Sequence, residues 1–137
     1  MEKTLVLVKP DGVKRGLLGE IILRLERKGL ILERARKLVL PPEMAAEHYQ
    51  EHRAKSFFPA LIAYISSGPV WALVWQGPNA IALARMLIGH KDPLQALPGT
   101  VRGDFACTST ENLVHASDSS AAAEREINLF FGGVFRE

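Results

Sequence analysis

The apolar positions of the chain fall into short runs, and the spacing within each run predicts the element it forms. Residues 4–8 (Thr-Leu-Val-Leu-Val) are apolar and β-branched and stop at Lys9-Pro10-Asp11-Gly12, which predicts a buried strand followed by a turn. Leu18, Ile21, Ile22 and Leu25 recur at i, i+3, i+4 and i+7. That is the stripe of a helix with one core face, and Gly29 is placed to end it. Residues 30–40 predict a second strand, whose charged centre Glu33-Arg34-Ala35-Arg36-Lys37 marks one solvated face. Pro41-Pro42 closes that strand, and Pro42 suits the first turn of a helix running to about Arg53, solvent-facing except for an inward Tyr49.

The second half continues the alternation. Residues 60–65 predict a short helix closed by Ser66-Ser67-Gly68-Pro69. Residues 70–76 are apolar on both faces, with Trp71 and Trp75 on one side, as expected of a central strand. Residues 80–88 form a helix stopped by Gly89. Residues 89–111 then show little periodicity, and a connection of that length inside a compact domain is often functional. Leu113 and Val114 suggest a very short strand. Residues 121–131 predict a last helix with Ala123, Ile127, Phe130 and Phe131 on its core stripe, ended by Gly132-Gly133. This order fits an α+β sandwich, a mainly antiparallel sheet with helices on one face. No internal repeat or low-complexity segment is present.

Composition narrows the class. A chain of 137 residues, 47% hydrophobic and 23% charged, is expected to be one soluble globular domain spanning 1–137. It has no apolar run near the ~20 residues of a membrane helix and no signal-peptide layout, so the expected compartment is the cytoplasm. The single cysteine, Cys107, excludes an internal disulfide or a multi-cysteine metal cluster. Seventeen Lys and Arg against fifteen Asp and Glu leave +2, too balanced to argue by charge for nucleic acid or membrane.

The chemistry concentrates in Asn112-Leu113-Val114-His115-Ala116-Ser117-Asp118. His115 sits where a short strand meets a helix start, and free N–H groups there suit phosphate. A neutral ring nitrogen can attack phosphorus when a partner on the other nitrogen fixes the tautomer; the bland alternative is a core-edge histidine beside an ordinary cap. Glu126, at the edge of the last core stripe, is a candidate partner for His115. Lys9 at the strand exit is either a solvated end or a phosphate-facing ammonium. Arg102 in the long connection is a candidate phosphate ligand, whereas nothing local lifts Arg85 above a surface role. Phe57 belongs to the core or stacks on a base at a pocket mouth. The glycines at 12, 16 and 19 do not fit a P-loop. His48-Tyr49-Gln50-Glu51-His52 matches a zinc-hydrolase pattern, but no third ligand is evident.

The His115 heptad resembles the active-site signature of nucleoside diphosphate kinases. Leu7-Val8-Lys9-Pro10-Asp11, Phe57-Phe58-Pro59, Ser67-Gly68-Pro69, Pro98-Gly99-Thr100 and Arg102-Gly103-Asp104 carry the similarity from Thr4 through Phe131. The resemblance implies a ferredoxin-like βαββαβ sandwich with a four-stranded sheet and a long active-site loop. It implies ping-pong transfer of a terminal phosphoryl group from a nucleoside triphosphate to a diphosphate through His115. Lys9, Arg85 and Arg102 would surround the phosphates with Mg²⁺, which the phosphates themselves would mainly hold, and Tyr49 would position Lys9. Asn112 and Lys9 would contact the sugar, Phe57 would stack on the base, and Ser117 with Glu126 would orient His115. Lys91 stands where the family usually has a phosphate-contacting threonine and is carried over as a nucleotide contact. Ser109 replaces an aliphatic wall of the base slot, and Ala116 a common glycine. Assembly as a tetramer or hexamer built from dimers is also implied. A zinc hydrolase using His48 and His52, and a binding module without turnover, are the alternatives from other classes.

Overall fold

The structure, a computed structural model, describes residues 1–132. Strands β1 (Glu2–Val8), β2 (Ile31–Leu38), β3 (Val70–Gly77) and β4 (Val114–Ala116) form one sheet in the order β2-β3-β1-β4. Every pairing is antiparallel. Helices α1 (Pro10–Lys14), α2 (Leu18–Lys28), α3 (Pro42–His48), α4 (Phe58–Ile65), α5 (Ala80–Ile88), α6 (Val101–Phe105) and α7 (Ser120–Phe131) fill the connections. The ferredoxin-like α+β expectation holds. The two most apolar runs, β1 and β3, occupy the middle of the sheet, and the charged strand β2 lies at its edge.

Side-chain alternation along β1 sorts the core into two layers. Val6 and Val8 join Leu73, Trp75 and the α2 and α5 residues Ile21, Leu25, Ala84 and Ile88. Leu5 and Leu7 join Ala72, Val74, Met44 and Ala45 of α3, Ile65 of α4 and Phe130 of α7. Helices therefore cover both faces, not the single face expected. The difference arises because β1 and β3 are buried on both sides, and a second apolar face must also be removed from water.

Local signals set most boundaries. Gly29 caps α2 in the left-handed region at φ 107°, where a side chain would be strained. Ser119 Oγ accepts the Ala122 N–H at 3.1 Å to start α7. Three expectations are corrected. The turn after β1 is the short helix α1, begun by Pro10. The helix expected to reach Arg53 stops at His48 and continues as a 3-10 turn over Gln50–His52. The loop after Gly89 contains α6, capped by Thr100 Oγ1 accepting the Gly103 N–H at 3.0 Å. The final Gly132-Gly133 stop reaches beyond the described residues at Gly133.

Candidate active site

In the antiparallel register His115 lies opposite Leu7, while Val114 and Ala116 face Val8 and Val6. The period of two turns Val114 and Ala116 toward the α2/α5 layer and leaves His115 on the other face, with α3 and α7. Lys9 follows β1 in extended conformation and continues the parity of Leu5 and Leu7. The strand pairing alone thus brings Lys9 and His115 to one end of one face.

His115 Nε2 is 3.0 Å from Glu126 Oε1, and the Ser117 hydroxyl donates to the same oxygen at 2.6 Å. Glu126 is buried and Ser117 fully so, whereas the His115 side chain keeps 25% of its surface open. Burial alone would raise the Glu126 pKa; the hydrogen bond and charge of His115, with the Ser117 hydroxyl, outweigh it and hold the carboxyl at about 2. A carboxylate is acceptor-only, so His115 places its proton on Nε2 and leaves the Nδ1 lone pair free.

Lys9 and Arg102 are nearly buried cations at this end of the sheet. Lys9 Nζ donates to Asn112 Oδ1 at 2.8 Å, and Asn112 Nδ2 donates to the Ser109 and Lys91 carbonyls at 3.0 and 3.4 Å. Burial lowers the Lys9 pKa to about 8, helped by the charge of Arg102 and opposed by Asp11. Arg102 is lowered to about 10, by burial first and then by Arg85, with Tyr49 acting the other way. Its guanidinium reaches the carbonyls of Asn112 at 3.3 Å, Gly89 at 3.0 Å and Val114 at 2.5 Å. These bonds use one hydrogen on each nitrogen and leave one free on each terminal nitrogen. Arg85 donates to the Ala116 carbonyl at 3.1 Å from α5. Arg102 depresses Lys9 and Arg85 depresses Arg102, and at Lys9 the Asp11 carboxylate offsets this only in part, an arrangement that favours a polyanion.

A row of rings extends the site. The His48 ring lies 4.8 Å from that of His115 and 4.6 Å from Tyr49; His52 is 6.2 Å from Tyr49 and 5.5 Å from Phe57. Phe57 is 49% exposed and so does not belong to the core. Tyr49 is turned inward as expected. His48 is not on a solvated face: it is 2% exposed, and burial together with the His115 charge lowers its pKa to about 3, so the ring is neutral. Its two nitrogens and the Tyr49 hydroxyl have no hydrogen-bond partner among the described residues.

The geometry therefore gathers Lys9, Arg85, Arg102, Asn112, His115, Ser117 and Glu126, with Tyr49 and Phe57 alongside. Lys91 joins only through its carbonyl, and its side chain is exposed. Sequence reasoning put His48 on a solvent-facing helix or in a zinc pattern, not against His115, and no local signal could have placed it there. It also missed the anchoring of Leu113, a buried residue at φ 77°, in a region that costs a side chain of this kind about 1–3 kcal/mol.

The sequence model described as nucleoside diphosphate kinase matches residues 2–134. The chain belongs to the nucleoside diphosphate kinase family. A nucleoside diphosphate kinase of Bacillus licheniformis is 58% identical over 131 residues, covering 96% of this chain and 88% of that protein. One from Archaeoglobus fulgidus is also 58% identical, over 96% of this chain and 87% of its own length. Among solved structures, the halophilic nucleoside diphosphate kinase of Halobacterium salinarum in complex with CDP superposes with a TM-score of 0.93 at 48% identity, covering 96% of this chain and 88% of that one. The Encephalitozoon cuniculi enzyme gives a TM-score of 0.95 at 37% identity, over 100% and 93% of the two chains. As a member of the nucleoside diphosphate kinase family, the chain is an enzyme that moves phosphoryl groups between nucleotides.

Proposed function

We propose that the chain passes the terminal phosphoryl group of a nucleoside triphosphate to a nucleoside diphosphate in two half-reactions, carried between them on His115. The observation that supports this most directly is a partly open imidazole with Nε2 committed to a buried carboxylate, beside the cations Lys9, Arg85 and Arg102. In the first half-reaction the Nδ1 lone pair attacks the γ-phosphorus. The N–P bond forms as the bond to the β,γ-bridging oxygen breaks, and the diphosphate leaves with that electron pair. In the second, a terminal oxygen of the acceptor diphosphate attacks the same phosphorus and returns the electron pair to Nδ1. The Nε2 proton stays against Glu126, whose negative charge balances the positive charge the ring acquires.

Lys9, Arg85 and Arg102 hold the phosphates and offset their charge, so catalysis is mainly positioning and electrostatics. Asn112, already bonded to Lys9, contacts the sugar hydroxyl. Tyr49 steadies the lysine side, and Phe57 stacks on the base by its exposed ring, a contact indifferent to base identity. Lys91 contributes charge at the rim. Nucleotide kinases generally use a divalent metal. Among the described residues no three His, Cys, Asp or Glu are placed to hold one, and the Glu126 carboxylate is already taken up by His115 and Ser117. These residues fit an ion that arrives on the nucleotide's phosphates. The proposed ion is Mg²⁺, which when bound supplies further neutralisation of phosphate charge.

The reading also takes residues 1–137 as one cytoplasmic domain that assembles as a tetramer or hexamer built from dimers. The edge position of β2, with Ile31 58% exposed, supports an assembly. No helix among the described residues is long and apolar enough to cross a membrane.

The test is a pulse and chase. Protein given γ-labelled ATP and Mg²⁺ without acceptor should retain an acid-labile phosphoryl group and lose it to added GDP as labelled GTP. His115→Ala should take no label. Unlabelled wild-type protein, folded and able to bind ATP, would overturn the proposal.

A further inference from the structure

The segment that carries His115 is bent at Leu113. The Val114 N–H donates to the Asn112 carbonyl at 2.9 Å across Leu113, whose φ is 77°. An i to i+2 bond with φ near +75° is the rarer, strained form of the γ-turn. Leu113 is neither glycine nor asparagine, so its own chemistry does not favour this conformation. The turn persists because its surroundings hold it.

Two groups from the other side of the site grip the Leu113 peptide. Its N–H donates to Asp11 Oδ2 at 3.0 Å, and its carbonyl accepts the Lys9 N–H at 2.9 Å. The second Asp11 oxygen accepts the Tyr64 hydroxyl, which reaches it from α4. Gly12 lets the segments approach: a Cβ there would lie 2.7 Å from the Leu113 carbonyl oxygen. The turn's neighbours are the functional groups themselves. Asn112 Oδ1 holds Lys9 Nζ, and Arg102 bonds the Asn112 and Val114 carbonyls on either side of Leu113.

We propose that Asp11 is a positioning residue for phosphoryl transfer, braced by Tyr64: its carboxylate holds the Leu113 γ-turn closed and so sets His115 and Asn112 relative to Lys9. This deepens the reading of His115 as phosphoryl carrier and rests on it. Neither Asp11 nor Tyr64 needs to touch the nucleotide. The lock acts through one backbone N–H, which makes its chemistry separable from that of the Asp11 charge. Asparagine at 11 keeps an oxygen for Leu113 N–H and can donate its amide to the Tyr64 oxygen; alanine keeps neither.

Single-turnover labelling of the full chain by γ-labelled ATP, with amide hydrogen exchange on the same proteins, tests the lock. Asp11→Ala should slow labelling by about 10²-fold, since a displacement of about 1 Å in a reacting group costs that much. Asp11→Asn should stay within about fivefold of wild type, and Tyr64→Phe within about tenfold, because the Leu113 N–H keeps an acceptor in both. In Asp11→Ala the Leu113 amide should exchange at least about tenfold faster, with the Leu5 and Leu7 amides unchanged as proof of an intact sheet. Three results would overturn the proposal: labelling of Asp11→Ala within about threefold of wild type, equal losses in the alanine and asparagine variants, or unchanged exchange at Leu113. Equal losses would assign the effect to the Asp11 charge acting on Lys9. Should the wild type take no label, the carrier role of His115 fails, and exchange at Leu113 alone decides the lock.

Discussion

On one face of the sheet Val6, Val8, Leu73 and Trp75 meet Ile21, Leu25, Ala84 and Ile88; on the other, Leu5, Leu7, Ala72 and Val74 share their layer with His48, Tyr49, Ser117 and Glu126. Alternate residues of the same strands build both layers. The first is apolar except for the Thr4 hydroxyl and the Trp75 ring N–H, neither with a partner among the described residues. The second buries an ionised carboxylate and a histidine with both nitrogens unpartnered. Both layers hold unpartnered polar atoms, but a buried charge costs more than a buried hydroxyl or ring N–H, so the second layer sacrifices stability that the first must supply. The comparison teaches a division of labour: the α2/α5 layer sustains the fold, and the α3/α4/α7 layer spends part of that stability on the site.

Substitutions that separate activity from stability sharpen this division. The largest effect belongs to His115→Ala, which should reduce steady-state phosphoryl transfer at least about 10⁴-fold, over 5 kcal/mol of barrier, while leaving the unfolding midpoint in urea close to wild type. Leu25→Ala, in the opposite layer, should do the converse. It should cost about 2–5 kcal/mol in chemical denaturation with kcat within about twofold, because Leu25 is fully buried in the layer opposite His115. A loss of kcat at constant fold in Leu25→Ala would break the division.

Lys9→Ala should lower kcat/KM by about 10²-fold, near 2.7 kcal/mol. Its pH profile has a definite sign. The native Lys9 pKa is lowered to about 8, so the free enzyme loses this charge, and with it phosphate affinity, as pH rises through that value. In wild type kcat/KM should fall on that alkaline limb, and Lys9→Ala should flatten it.

Glu126→Gln should slow transfer by about tenfold, since a neutral amide still accepts the Nε2 hydrogen but no longer balances the ring's charge. The smallest effect is expected of His48→Phe, within about 1 kcal/mol at neutral pH because volume and ring shape are kept. Its diagnostic is acid. The unfolded chain binds a proton at His48 below about 6.5, which the native state refuses until about 3, so wild-type stability falls as pH drops through that window. His48→Phe should remove this part of the slope in urea titrations at pH 7 and pH 5.

These effects also mark what the sequence made legible. Strand and helix spans followed from periodicity: α5 at Ala80–Ile88 and the Gly29 stop of α2 stand where the pattern puts them. The His115–Glu126 pairing was legible because a half-buried carboxylate needs a partner. The second helical layer was not, since apolar residues on both faces of β1 and β3 show that something covers them without showing what. His48 was misplaced because one histidine in a polar stretch carries no signal of direction, and tertiary packing against Phe130 and His115 decides it. The hold of Asp11 and Tyr64 on Leu113 spans 102 residues of chain, a distance at which local patterning is silent.

Glu126 commits Nε2 of His115 and leaves Nδ1 as the proposed nucleophile. Phosphorus NMR of protein trapped after reaction with ATP and Mg²⁺, compared with the two phosphohistidine isomers, tests it directly. A single signal assigned to Nδ1-phosphohistidine, absent in His115→Ala, is the predicted result. Phosphorus on Nε2, or on any other residue, would contradict the account.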